Sequence, residues 1–246
     1  MKKQNLVSLF LALAVSGNLS AKEPVAIIEP AAKTILEESI TAMGGREAMA
    51  KIKSRQAKGK VLMPAQGMTM ELSVIQKAPN KTYTKMVMPN VMTVEQGFDG
   101  ETAWSKDNIQ GSRNLTGPEL EQAKESAAIF SELTILDNLL SAKVLENVEE
   151  GEKKLKVIKV TSKDASDKIL YFDETSKLLT KMTSSFATGP EGTMEVTVSM
   201  SDYKEKDGIK YAAKMSVSVM GQEIQMTMGE VEHNIEVDDA IFTMKK

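Results

Sequence analysis

The chain has no cysteine, one histidine (His233), one tryptophan (Trp104) and three arginines (Arg46, Arg55 and Arg113). Without cysteine there are no disulfides, no thiol chemistry and no lipid attachment at a cysteine behind a leader. A lone histidine cannot build a zinc site of the usual histidine and cysteine type. Aromatic residues make up 4% of the chain, too few for a base-stacking platform. The formal net charge of −3 lacks the basic excess that nucleic acid demands. No Gly-x-Ser-x-Gly elbow, phosphate loop or dinucleotide fingerprint occurs. These gaps leave no catalytic residue, metal ligand or cofactor to nominate, and the expectation is a protein that is not an enzyme.

Long hydrophobic runs are also missing. The longest, Leu6 to Val15, is too short for a membrane span and is closed by Ser16, Gly17 and Asn18. With Lys2 and Lys3 before it and Leu19-Ser20-Ala21 after it, residues 1–21 read as a secretory signal cleaved after Ala21. Cleavage takes the formal charge from −3 to −5 by removing the two lysines. The expected compartment is the bacterial periplasm.

What the chain has in excess is methionine, 17 in 246 residues, arranged in alternating runs. Met70, Leu72 and Val74 alternate with Glu71 and Ser73. Met86 and Met88 flank Val87, and Met92 and Val94 alternate with Thr93 and Glu95. The pattern returns at Met194, Val196, Val198 and Met200, at Met215, Val217 and Val219, and at Ile224, Met226 and Met228. Side chains on a strand alternate between faces, so each run places its apolar residues together. The expectation is a large sheet with one apolar, deformable face and one polar face, because methionine adapts to irregular apolar partners. Turn signals at Pro64–Gly67, Ala78-Pro79-Asn80, Pro89-Asn90, Asp99-Gly100, Glu150-Gly151, Asp164–Asp167, Gly189–Gly192, Asp207-Gly208 and Gly221 separate short strands, which points to an antiparallel meander.

Two helices interrupt this pattern. Residues 22–32, with Pro24 and Pro30, read as a linker, and a helix is expected from Thr34 with Leu36, Ile40 and Met43 on one face and Gly44-Gly45 as its stop. A second is expected from Thr116 to about Leu133, opened by a Thr116/Glu119 capping box, with Leu120, Ala123, Ala127 and Phe130 on its inner face. Residues 33–246 form one domain.

Two stretches, Lys77-Ala78-Pro79-Asn80 and Phe98-Asp99-Gly100-Glu101-Thr102-Ala103-Trp104, resemble the periplasmic lipoprotein-localisation carriers, the LolA/LolB-like family. Met43-Gly44-Gly45-Arg46-Glu47-Ala48 resembles a Bacteroidetes-type version that also occurs appended to insulinase-type peptidases, and Asp239–Phe242 resembles the family's closing segment. The resemblance implies a mainly β fold with some α: a curved, incomplete antiparallel barrel with helices over its concave face. It implies a carrier that shields acyl chains of lipoproteins or another lipid on the way to the outer membrane. The expected partners are such lipids, an envelope donor and acceptor protein, and a transient membrane contact. The alternative is a non-catalytic envelope interaction module. One departure is specific: the family carries an arginine before Pro-Asn, where this chain has Ala78. Lys77 is adjacent, but a strand neighbour faces the other way.

On this reading Met70, Leu72, Val74, Met86, Met88, Met92, Val94, Met200, Met215, Val217, Met226 and Met228 line the ligand site. Leu120, Ala123, Ala127 and Phe130 form the lid. An acyl chain burying about ten methylenes would gain on the order of 8 kcal/mol before ordering costs, with no charged anchor needed. The Met-x-Met pairs could also present thioethers to copper(I), but any apolar strand face has that spacing, and the core reading prevails. His233 is expected as a surface or strand-end residue, Trp104 as a packing residue at the sheet rim, and the three arginines on the surface, where any of them could meet a lipid headgroup. The lysines between Lys153 and Lys159 are expected to protect an exposed sheet edge.

Overall fold

The computed structural model describes residues 26–109, 111–163, 166–187 and 193–244. The secretory signal, the start of the linker, Asp164 and the Gly189–Gly192 turn lie outside the described residues. Within the expected linker, Ile27–Ile28 form strand β1. Helix α1 (Pro30–Ala42) starts four residues before Thr34. Pro30 suits a first helical turn, where its missing N–H has no partner to lose. The stop is where the two glycines predict it. Gly44 has φ +128°, and a Cβ there would lie 2.4 Å from the Gly208 carbonyl oxygen, so both backbone and space require glycine. A short helix, α2 (Arg46–Ala50), follows.

The first meander runs through β2 (Ser54–Met63), β3 (Met68–Lys77), β4 (Lys81–Met88), β5 (Met92–Phe98), β6 (Ala103–Asp107) and β7 (Gly111–Leu115). Helix α3 (Pro118–Ser126) and two short turns of 3₁₀ helix, Ser131–Thr134 and Leu136–Asn138, lead to the second group. That group is β8 (Leu139–Val144), β9 (Val148–Glu150), β10 (Lys153–Ser162), β11 (Asp167–Asp173), β12 (Leu179–Ala187), β13 (Thr193–Lys206), β14 (Ile209–Val219) and β15 (Gln222–His233). All belong to one open sheet, ordered β1-β8-β10-β11-β12-β13-β14-β15-β2-β3-β4-β5-β6-β7, with β9 beside β10. Antiparallel pairing of β15 with β2 joins the two meanders. Among the described residues only β1 and β8 run parallel. This is the expected curved antiparallel half-barrel.

The cross-strand register shows why the methionines share a face. Met200 pairs with Met215, Met215 with Met226, Met226 with Val61 and Val61 with Met70. Two residues along, Met228 pairs with Gly59, Gly59 with Leu72, Leu72 with Met86 and Met86 with Val94. Directly opposite residues point to one side of the sheet, so both rows lie on the same face. Bulges between Thr161 and Ser162, Tyr171 and Phe172, and Met228 and Glu230 bend the strands. At the last of these the chains press so close that a Cβ on Gly59 would lie 1.9 Å from the Thr227 carbonyl oxygen.

Both helices lie on the methionine face. Ala32, Ile35 and Leu36 of α1 pack on Leu139, Ala142, Ile158, Val160, Leu170 and Phe172. Leu120 and Ala123 of α3, with Ala127 just beyond it, pack on Phe98, Ala103 and Leu115. Helix α3 is shorter than the expected Thr116–Leu133 at both ends. Gly117, which has no side chain to cap with, occupies the N-cap position, and Glu119 pairs with Arg113 through two contacts of 2.5 and 2.7 Å. Beyond Ser126 the chain leaves the helix, and Phe130 joins a separate cluster with Ile40, Met49, Ile52 and Ile209.

The lysine-rich strand is not an edge. β10 sits between β8 and β11, and the long edge is β7, which carries Ser112, Arg113 and Asn114. Trp104 faces the other side of the sheet, stacked over Gly97, and its Nε1 donates to the Phe242 carbonyl at 2.7 Å. Phe242 is wholly buried there. Asp239, three residues earlier, accepts from Lys77 at 2.6 Å and Lys81 at 2.7 Å, so Lys77 serves the closing segment.

Candidate binding cavity

The roof over the concave face leaves a cavity of about 290 Å³. Its walls come from α1 (Leu36, Ser39, Ile40 and Met43), from the segment 129–135 (Ile129, Phe130, Glu132 and Ile135), and from the sheet (Ala57, Val74, Leu170, Met200, Met215 and Met228 among others). A wider depression of about 560 Å³ lies outside α1 around Lys33, Glu37, Glu38 and Lys177, but it opens on solvated polar side chains and offers no desolvated surface.

The expected ligand-lining residues divide into two groups. Val74, Met200, Met215 and Met228 line the cavity itself. Met70, Leu72, Met86, Met88, Met92 and Met226 form an adjoining cluster around Val61 that continues the same face beyond the roof. Val94 is buried beside Met86, and Val217 lies in the row between Val198 and Ile224. The expected lid divides as well. Phe130 lines the cavity, whereas Leu120, Ala123 and Ala127 pack on the β5–β7 end. The roof is therefore α1 and residues 129–135, with α3 beside it.

The roof is tethered unequally. Helix α1 is bound at both ends: Glu29 N–H donates to the Ala142 carbonyl at 2.9 Å, and Lys210 N–H donates to the Met43 carbonyl at 2.8 Å. The segment after α3 depends on side chains. The Gln76 amide donates to the carbonyls of Ser126 (3.2 Å) and Ala128 (2.9 Å). Arg46 donates to the Leu133 carbonyl at 2.8 Å while gripping Glu37 through both carboxylate oxygens.

One end of the cavity is polar. Arg55 and Glu132 line it together with Gln76, Tyr203, Lys210 and Tyr211. The sequence reading places Arg55 on the surface; the register places it opposite Gln76 and His233 on the concave face instead. Burial lowers the Arg55 pKa, an effect opposed by the nearby Glu132 and Tyr211. Burial likewise raises the Glu132 pKa, opposed by its own backbone N–H and by Arg55. Tyr203, pushed up to about 12 by burial and then by Glu132, donates its hydroxyl to the Leu179 carbonyl at 2.6 Å. His233 is a strand-end residue, as expected, but its side chain is only 3% exposed, a correction to the surface reading. Its Nδ1 lies 3.1 Å from Asp207. Burial lowers its pKa, the Asp207 contact opposes that, and Arg55 adds to it.

Sequence periodicity carried the signal for Arg55. Val61, Gly59, Ala57 and Arg55 share one parity on β2, so extending the apolar face backwards puts Arg55 on it. Glu132 had no such signal, because its position depends on where α3 ends.

No protein-family model matches the chain, and no curated protein matches it in sequence. Solved structures do. A DUF1329 family protein from Desulfovibrio piger superposes with a TM-score of 0.62 at 11% identity, covering 86% of this chain and 97% of its own. A putative outer membrane lipoprotein-sorting protein domain from Vibrio parahaemolyticus gives 0.59 at 12% identity, covering 86% and 97%. A LolA superfamily protein from Nitrosomonas europaea gives 0.56 at 13% identity, covering 87% and 97%. The chain has the LolA-like fold.

Proposed function

We propose that the protein is an exported, periplasmic carrier that holds an acyl chain, of a lipoprotein or another lipid, inside its half-barrel and passes it towards the outer membrane. The observation that carries this reading is the largely apolar cavity between the methionine face and its roof. A filled core would leave no such space, since protein interiors pack to crystal-like density. The fold shared with a lipoprotein-sorting domain supports the same reading. The leader at residues 1–21 fits it.

The volume sets a limit. About 290 Å³ is at the small end of ligand pockets, which run from about 300 to 1,000 Å³. With the roof in place there is room for one chain. A ligand with several chains requires residues 127–135 to swing away and expose the Met70–Met92 cluster. The tethers from Gln76 and Arg46 are the contacts that such opening breaks. Ala78 stands where the lipoprotein carriers have arginine, so a hand-off on this chain runs through other residues.

The test is binding of an apolar fluorescent dye to the purified mature protein, followed by displacement with a fatty acid and with an acylated peptide. Saturable binding at one site per chain, reversed by either competitor, is the expected result. No saturable binding would remove the carrier reading and favour the protein-interaction module.

A further inference from the structure

The cavity is more polar at one end than acyl binding alone requires. Arg55 and Glu132 both face it, yet they stand more than 4.0 Å apart and form no ion pair. The Arg55 Nε is fully buried without a hydrogen-bond partner, and it is the only such side-chain atom among the described residues. Such an atom represents an unmet demand, because buried polar groups are otherwise paired. An unpaired buried Nε–H invites an acceptor, and the planar fork of a guanidinium matches a carboxylate. On the far side, Glu132 is a half-buried carboxyl whose proton is favoured by desolvation. Gln76 and Tyr203, which line the same end, donate elsewhere, to the roof carbonyls and to the Leu179 carbonyl, and neither bonds the Arg55 Nε.

We propose that the cavity is a site for a single-chain fatty acid whose carboxyl group sits between Arg55 and Glu132, with its chain along Val74, Met200, Met215 and Met228. This rests on the carrier reading and narrows its cargo. The fatty acid enters as its carboxylate, and Glu132 supplies the one proton, which burial favours on it. The carboxylate accepts from Arg55, and the proton bridges from Glu132, so two carboxyls share one proton beside one guanidinium. The buried group then carries no net charge, which is the condition for holding ions in an apolar chamber. A methyl ester of the same chain keeps the apolar contact but loses both the negative charge and the shared proton. The volume agrees, since about 290 Å³ accommodates one chain with a small head rather than a diacyl lipid.

The experiment is calorimetric titration of the mature protein, delipidated under mild conditions, with dodecanoic acid and with methyl dodecanoate. The acid binds at least tenfold more tightly than the ester. Arg55→Met loses the preference, so that the ratio of its affinities for acid and ester falls to about one. Arg55→Lys keeps the charge without the fork and shows an intermediate preference. Equal affinity of the wild type for acid and ester would overturn the fatty-acid assignment and leave the carrier reading standing. Failure of both to bind would overturn the carrier reading as well. The wild-type comparison needs no variant, so it decides the matter even if Arg55→Met does not fold.

Discussion

Filling the cavity should have an effect whose sign separates a ligand chamber from a packed core. Ala57 lies on β2, is 5% exposed, and pairs across the sheet with Val74 and Val231. Its methyl faces the cavity. In Ala57→Phe the ring enters a space of about 290 Å³. Fully burying a phenylalanine side chain is worth about 1.5 to 3 kcal/mol, and the ring gives back part of that in lost freedom. A net gain of about 1 to 2 kcal/mol is therefore expected for the empty protein, in the range that cavity filling ordinarily delivers. For a chain of this size that corresponds to a rise in Tm of roughly 2 to 8 °C. Ligand binding should fall at least tenfold in the same variant. Ala142→Phe is the control, because Ala142 is 1% exposed and packed directly beneath α1. Overpacking there should cost about 1 to 3 kcal/mol. Thermal melts with and without dodecanoic acid read all four quantities. Loss of stability in Ala57→Phe similar to the control, or unchanged ligand binding, would refute the chamber.

Gln76→Ala removes two hydrogen bonds to the roof and should cost roughly 1 to 3 kcal/mol, at about 0.5 to 1.5 kcal/mol each, with faster hydrogen exchange at residues 126–130 and faster ligand release; unchanged exchange would show that other contacts hold the roof. Because burial holds the His233 pKa below its ordinary value, the native state binds fewer protons than the unfolded chain, so its contribution is present above about pH 6.5 and lost as the pH falls from there through the folded value. Denaturation midpoints at pH 7.5 and 5 should thus differ more in the wild type than in His233→Gln. Asp239 is held at a pKa of about 2, first by Lys77 and then by Lys81. Its contribution is present above the ordinary carboxylate value of about 3.9 and lost as the pH falls towards about 2, and the Trp104 fluorescence should report the release of the closing segment over that interval. Asp239→Asn should weaken the segment at neutral pH, and an unchanged acid fluorescence transition in that variant would contradict the assignment.

The strands were legible because a half-buried antiparallel sheet writes its faces as an alternation of period two, and Met70-Glu71-Leu72-Ser73-Val74 could hardly be anything else. The stop of α1 was legible because Gly44 is needed both for its backbone angle and for the approach of Gly208. The end of α3 was not. Leu120, Ala123, Ala127 and Phe130 keep helical spacing, but the bonds from Gln76 to the carbonyls of Ser126 and Ala128 hold the chain open after Ser126. Those bonds join residues some fifty positions apart, and local periodicity carries no trace of them. The same holds for the Thr116/Glu119 pattern, which yields to the ion pair of Glu119 with Arg113 on β7. The polar end of the cavity was half legible. Arg55 follows the parity of its strand, while Glu132, the Asp207 contact of His233 and the placing of β10 inside the sheet all depend on the fold as a whole.

The most direct measurement of the central claim is native mass spectrometry of the mature protein purified gently from an exporting cell, with lipid extraction of the same sample. A stoichiometric apolar ligand, released together with disruption of the roof in Gln76→Ala, is the predicted result. A clean ligand-free mass that persists after incubation with fatty acids, envelope lipids and acylated peptides would contradict it.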